Sequence, residues 1–167
     1  MFKKFALIAA TSMLLAASQA SASITPSGAV TVTVTGTVSQ SVTLTCSKSF
    51  PATVNSATNT ITVHTTGQNF GSGTCGLVTF TSDWNVAATP VTGGATLNVT
   101  NIKANTLTGS CTQVAGNVVA GTWTNPAGGT AGKGQVSGSI GGVSFGAPKA
   151  CNLNITSLTS SPDLTIL

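Results

Sequence analysis

Hydrophobic and polar residues alternate one by one along the clearest stretch of the chain, Ala29 to Cys46, which reads AVTVTVTGTVSQSVTLTC. Val30, Val32, Val34, Val38, Val42, Leu44 and Cys46 take even positions, and Thr31, Thr33, Thr35, Thr37, Ser39, Ser41, Thr43 and Thr45 take odd ones. A period of two puts the apolar side chains on one face of a strand and the hydroxyls on the other. Valine and threonine both branch at Cβ and suit a pleated, half-buried surface. Gly36 and the Ser39-Gln40-Ser41 triplet are where such a run would bend, bulge or cross to a second sheet. No charge occurs between Ser23 and Ser47, so Val30, Val32 and Val34 make an apolar edge without the usual protection against another chain. The expectation is a strand either buried in its own domain or donated to a neighbour.

The same alternation recurs in shorter pieces. Ile61 and Val63 share a face, as do Leu97 and Val99, then Val119, Gly121 and Trp123, then Cys151, Leu153 and Ile155. Ile102 falls out of phase with Leu97 and Val99, which predicts a bulge. Val136, Ile140, Val143 and Phe145 punctuate a glycine- and serine-rich segment. Phe50-Pro51, Ser82-Asp83, Gly93-Gly94 and Ser160-Ser161-Pro162 read as turns. No window has sustained helical spacing, and the density of glycine, proline and threonine opposes helices. Short strands with frequent turn signals predict an all-β fold: a single antiparallel β-sandwich, Ig-like or jelly-roll-like.

Charge and cysteines narrow the class. Lys3 and Lys4 precede a mostly apolar run, Phe5 to Ala17, that is too short to span a bilayer, and Ala20-Ser21-Ala22 is a small-x-small cleavage site. Residues 1–22 therefore read as a cleaved signal peptide and residues 23–167 as one β domain, with cleavage after Ala20 as the alternative. An exported protein of a bacterium is expected, extracellular, on the cell surface or in the periplasm, with no transmembrane segment in the mature chain. Beyond the leader the only charged side chains are Lys48, Lys103, Lys133, Lys149, Asp83 and Asp163, besides the single His64. Four scattered lysines and no arginine do not make a nucleic-acid surface. Cys46, Cys75, Cys111 and Cys151 are an even set in an exported chain, which predicts two disulfides. Of the three connectivities, Cys46–Cys75 with Cys111–Cys151 is favoured because consecutive pairing staples each half separately, worth roughly 3–4 kcal/mol per bridge in the chain-entropy treatment. The close ligand pairs of a zinc site are missing.

Chemistry is sparse. His64 is the one conventional base near neutral pH, and its parity with Thr62 and Thr66 places it on the polar side of its strand. Asp83 and Asp163 sit in turn sequences, and no pair of carboxylates suits glycoside cleavage. No catalytic residue, cofactor or metal ligand is assigned. Trp84, Trp123 and Phe70, with Phe80 and Phe145, would either line a contact surface for an apolar ligand or fill the core, and the core is favoured.

Three segments carry a resemblance: the strand ending Leu44-Thr45-Cys46, the stretch from Thr100-Asn101-Ile102 to Gly109-Ser110-Cys111, and the ending Cys151-Asn152-Leu153-Asn154-Ile155-Thr156 through Ser161-Pro162-Asp163-Leu164-Thr165-Ile166. With the leader, they resemble the PraB-type alkane-oxidation activators, a family of exported bacterial proteins. The resemblance implies a secreted or cell-surface, non-enzymatic protein linked with growth on alkanes, cell-surface hydrophobicity and biofilm or matrix formation. It implies no catalytic residues, and "activator" names a growth effect rather than a transcription factor. Partners implied are matrix or cell-surface components, further copies of the chain, or hydrophobic substrate. Chaperone–usher pilins are similar in a weaker way, with Ala29–Val38 suited to strand donation, but no tyrosine supplies their penultimate aromatic. A fimbrial subunit is the alternative reading, and a hydrolase built on His64 the remote one.

Overall fold

The computed structural model describes residues 23–167, so the signal-peptide reading of residues 1–22 lies outside the described residues. The opening run folds as a long hairpin. Strand β2 (Gly28–Ser39) turns at Gln40–Val42 into β3 (Thr43–Asn55), pairing in register from Ser39 with Thr43 to Gly28 with Val54. Val30, Val32, Val34, Val38, Cys46 and Phe50 face inward and are buried. On the outer face the hydroxyls pair across the strands, Thr33 with Ser49 and Thr35 with Ser47, both at 2.7 Å.

The other strands are β1 (Ile24–Thr25), β4 (Thr60–Val63), β5 (Thr79–Phe80), β6 (Trp84–Val91), β7 (Gly94–Thr100), β8 (Lys103–Thr106), β9 (Gly109–Thr112), β10 (Val119–Thr124), β11 (Lys133–Ser144), β12 (Ala147–Pro148), β13 (Cys151–Ser161) and β14 (Thr165–Ile166). The all-β class and both disulfides hold, but the sandwich does not. Eight strands close on themselves in the order β10-β7-β6-β4-β3-β2-β13-β11, and β11 pairs back to β10. The result is an antiparallel barrel with a side layer. Beyond Ile140, β11 leaves the barrel and pairs with β9, which continues through β8 to β5. Period-two alternation is the same for a sandwich and a barrel, so the pattern alone does not distinguish them.

Three local expectations change. Phe50-Pro51 lies inside β3 rather than at a turn. His64 N–H donates to the Pro51 carbonyl at 2.9 Å, and the His64 carbonyl, which proline cannot serve, accepts from Gln68 Nε2 at 2.7 Å. Ile102 marks no bulge: it is buried in the link by which the chain leaves β7 for the side layer at β8, next to Asn101 at φ +64°. The actual bulge in that family of strands lies in β13 between Ile155 and Ser157, opposite Gly36. The apolar edge of Val30, Val32 and Val34 is not an edge, because β2 is hydrogen-bonded on both sides, by β3 and β13. Of the two outcomes expected for that strand, the structure holds burial within its own domain.

Two joints fix the side layer to the barrel. Cys46 of β3 is bonded to Cys75 of the 3-10 turn Gly73–Leu77, and Cys111 of β9 to Cys151 of β13. The pairing is the expected one, yet each bridge joins barrel to appendage rather than closing a half. Between them Phe50, Phe70, Phe80 and Trp84 pack in one aromatic cluster, with Phe80 and Trp84 in T-shaped contact at 4.9 Å. At the opposite end β1 and β14 form a two-stranded ribbon that buries Ile24, Leu164 and Ile166. Trp123 Nε1 donates to the Leu164 carbonyl at 3.2 Å, and Asn125 holds Ile166 through both its amide and carbonyl groups.

Gly36 tests the register. A Cβ there would sit 2.3 Å from the Asn154 carbonyl oxygen, which belongs to backbone and cannot swing aside. Gly36→Ala should destabilise the protein by about 1–3 kcal/mol, read as a lower chemical-denaturation midpoint with both disulfides intact. An unchanged midpoint would mean that β13 does not run where described.

Candidate functional site

Three places combine chemistry with access. The first is the contact between His64 and Asp83. His64 follows β4, and its Nδ1 meets Asp83 Oδ2 at 3.1 Å, while its Nε2 meets Thr53 Oγ1 at 2.9 Å. In the tautomer with Nδ1–H donating to the carboxylate, Nε2 accepts from the threonine hydroxyl. The order hydroxyl, imidazole, carboxylate is that of a nucleophilic triad. The surroundings differ from one. Thr53 lies exposed on the outer wall of β3, and none of the three residues lines a cavity. The nearby Thr66 N–H, a candidate oxyanion donor, is already given to Asp83 Oδ1 at 2.9 Å, alongside the Thr66 hydroxyl at 2.7 Å. These bonds hold the start of the Thr66–Val78 loop to the barrel. The Thr66 hydroxyl, then its N–H and His64, lower the Asp83 carboxyl from 3.8 to about 2, against the opposing effect of burial.

The second place is the barrel interior. Trp84, Trp123 and Phe70, offered by the sequence as a contact surface, are all buried, so they belong to the core and not to a surface. The Trp84 indole N–H has no acceptor. An apolar cavity of about 30 Å³ remains among Val34, Ile61, Trp84, Leu97, Trp123 and Ile155. At ~30 Å³ for each group that is room for about one water-sized group, too little for a hydrocarbon chain.

The third place was missed by pattern reading. It is the end of the barrel where the hairpin tips of β2–β3, β8–β9 and β11–β12 meet. Gln40 ties them together: its Oε1 accepts from Thr106 Oγ1 at 3.0 Å and Thr108 Oγ1 at 3.2 Å, and its Nε2 donates to the Ser110 carbonyl at 3.2 Å. Phe145 N–H donates to the Thr108 carbonyl at 2.9 Å, and Ser41 and Ser144 hydroxyls meet at 2.6 Å. Around this polar clamp, Val42, Leu77, Leu107, Val143 and Phe145 are exposed, Leu107 at 64% and Phe145 at 82%. Val42, Leu44, Leu77 and Leu107 line a shared groove of about 110 Å³. The signal for it lies in a phase change. Val136 and Ile140 are even and buried, whereas Val143 and Phe145 are odd and exposed once β11 has left the barrel.

No group of three or more His, Cys, Asp or Glu side chains is placed to hold a metal among the described residues. A family model described as alkane oxidation protein activator PraA/PraB-like matches residues 1–167. Comparison with curated proteins and with solved structures finds no significant match.

The Asp83 clasp has a pH signature. A carboxyl lowered by folding contributes stability that is full above its unfolded value of 3.8 and disappears as pH falls through about 2. The stability difference between the wild type and Asp83→Asn should be constant above about pH 5 and shrink toward pH 2, followed by thermal melts across that range. Parallel curves would show that Asp83 carries no such linkage.

Proposed function

The chain belongs to the alkane oxidation protein activator PraA/PraB-like family, and we propose that it serves that role as an exported, non-enzymatic protein that touches hydrophobic substrate through the clamped apolar rim. One observation carries the reading. Phe145 has φ +50°, in the left-handed region that bulky residues avoid, and is 82% exposed. Gly146 follows at φ +79°, and glycine or asparagine would fit position 145 with less strain. A large aromatic held in a costly conformation and in water is a departure from stability that a contact function explains.

Several features support the rest. Exposed apolar groups gathered on hairpin tips mark interaction sites more often than scattered ones do. The Thr53–His64–Asp83 constellation lacks a substrate pocket and a free oxyanion donor, which favours a binding protein over a hydrolase. Two disulfides suit an oxidising compartment. Wider effects on cell-surface hydrophobicity, biofilm or matrix follow in this reading from protein displayed at the cell surface with the rim outward.

The test separates folding from contact. Phe145→Asn should leave the melting temperature unchanged or raise it, since relief of left-handed strain is worth about 1 kcal/mol. The same variant should adsorb roughly ten- to a hundredfold more weakly to a hexadecane–water interface, because an exposed aromatic that enters oil contributes on the order of 1.5–3 kcal/mol. Adsorption equal to that of the wild type, or lost only where the melting temperature falls, would sink the reading.

A further inference from the structure

The rim groove has chemistry of its own. Its walls are Val38, Val42, Leu44, Leu77, Val78 and Leu107. Of the polar residues that line it, Gln40, Thr106 and Thr108 are bonded among themselves and to the Ser110 carbonyl, and Thr74 is exposed and keeps its access to water. An apolar chain lying there would strand none of them. The volume of about 110 Å³ has room for roughly four methylene-sized groups, taking ~30 Å³ for each.

A cation stands beside the groove, one residue removed from its lining. Lys149 Nζ donates to Ser41 Oγ at 3.2 Å, and Ser41 stands between Gln40 and Val42, both groove residues. Lys149 is exposed and has no acidic partner among the described residues. The two aspartates lie elsewhere: Asp83 is clasped by His64 and Thr66, and Asp163 precedes the buried Leu164 at the ribbon end. Cation and groove therefore complement an anionic head on an apolar tail, with no carboxylate nearby to repel it.

We infer that the rim groove binds a free fatty-acid carboxylate, its methylenes between Leu44, Leu77 and Leu107 and its head at Lys149. This rests on the reading of the rim as a contact surface and adds a ligand class to it. A fatty acid is the kind of molecule that terminal oxidation of an alkane supplies, so a protein seated at a hydrocarbon surface would meet both. The groove accommodates the chain only in part, and the rest would lie along Phe145 and Val143 or remain in the oil.

The experiment is a titration of the purified protein with dodecanoate below its micelle concentration, beside uncharged dodecanol and cationic dodecyltrimethylammonium, at low salt. Dodecanoate should bind saturably at one site and more tightly than dodecanol by about two- to fivefold, the range of an exposed ion pair. Added salt should erase that preference. Lys149→Gln should bring dodecanoate down to the dodecanol level, Lys149→Arg should restore it, and Leu107→Asp should abolish binding of both. Lys149→Gln should leave adsorption to neutral hexadecane unchanged. Failure to bind dodecanoate with hexadecane adsorption intact overturns this inference alone, and loss of both overturns the rim reading as well. Equal affinity for dodecanoate and dodecanol, or binding to anionic vesicles without binding of free dodecanoate, also overturns it.

Discussion

The structure depends on the seam where β10 meets β11 and the sheet closes into a ring. Closing eight strands requires backbones to bend and approach closely at defined points. At Gly121 a Cβ would lie 1.7 Å from the Gln135 carbonyl oxygen across the seam, and at Gly94 one would lie 1.9 Å from the Trp123 carbonyl oxygen on the other flank of β10. Neither contact can be relieved by a side-chain rotation, since both obstacles are backbone. Strand β10 thus approaches β11 through its own Gly121 and β7 through Gly94 of that strand. Its side chains Val119 and Trp123 then fill the interior.

Closure explains how a chain with so few charges avoids its own edges. Charged or proline-bearing edge strands normally prevent pairing with other molecules. Here β2 is paired on both sides, β3 lacks a second strand neighbour only over Thr43–Phe50, and the outermost strands, β1, β5, β12 and β14, are two residues each. The side layer then has to be secured separately. Both disulfides, the Phe50–Phe70–Phe80–Trp84 cluster and the Asp83 clasp all span barrel and appendage. Their effect is to hold three hairpin tips in one place, where Gln40 completes the clamp. For the contact proposed at the rim, fixed tips would lose less conformational entropy on binding than free loops.

Strand existence was legible because period-two alternation is written directly in β2, β3, β7 and β13. The cysteine pairing was legible from compartment and spacing, though its purpose was not. Barrel against sandwich was illegible because both need the same inward-outward alternation, and the difference lies in glycine placement that only pairing partners interpret. Pro51 misled as a turn signal because the donor it lacks was supplied to the His64 carbonyl by the Gln68 side chain. The clustering of Trp84, Phe70 and Phe80 followed from folding a loop onto the barrel, and alternation says nothing about loops. The rim was the least visible feature, because its members come from four separate segments and share no local period. Even so, the shift from even to odd apolar positions after Gly141-Gly142 was present in the sequence as the mark of a strand changing sheets.

Consistency between local preference and global fold is the ordinary condition of a natural sequence, and departures concentrate where function opposes stability. Most of this chain obeys the rule: its valines are inside, its threonines outside, and its tightest turns are glycine. The rim breaks the rule several times in a small area. Val42 is apolar in a tight turn, Leu107 is apolar at a hairpin tip, and Phe145 is aromatic at a positive φ. Each would be replaced by a polar residue or glycine if folding alone decided. None is needed by the core, which is complete in the barrel and the aromatic joint without them. Gln40, Thr106, Thr108 and the Ser41–Ser144 pair are bonded across the tips, so the exposure is not a by-product of a loose end. It is this rigid scaffold with apolar side chains turned outward that the proposed contact with an apolar partner rests on.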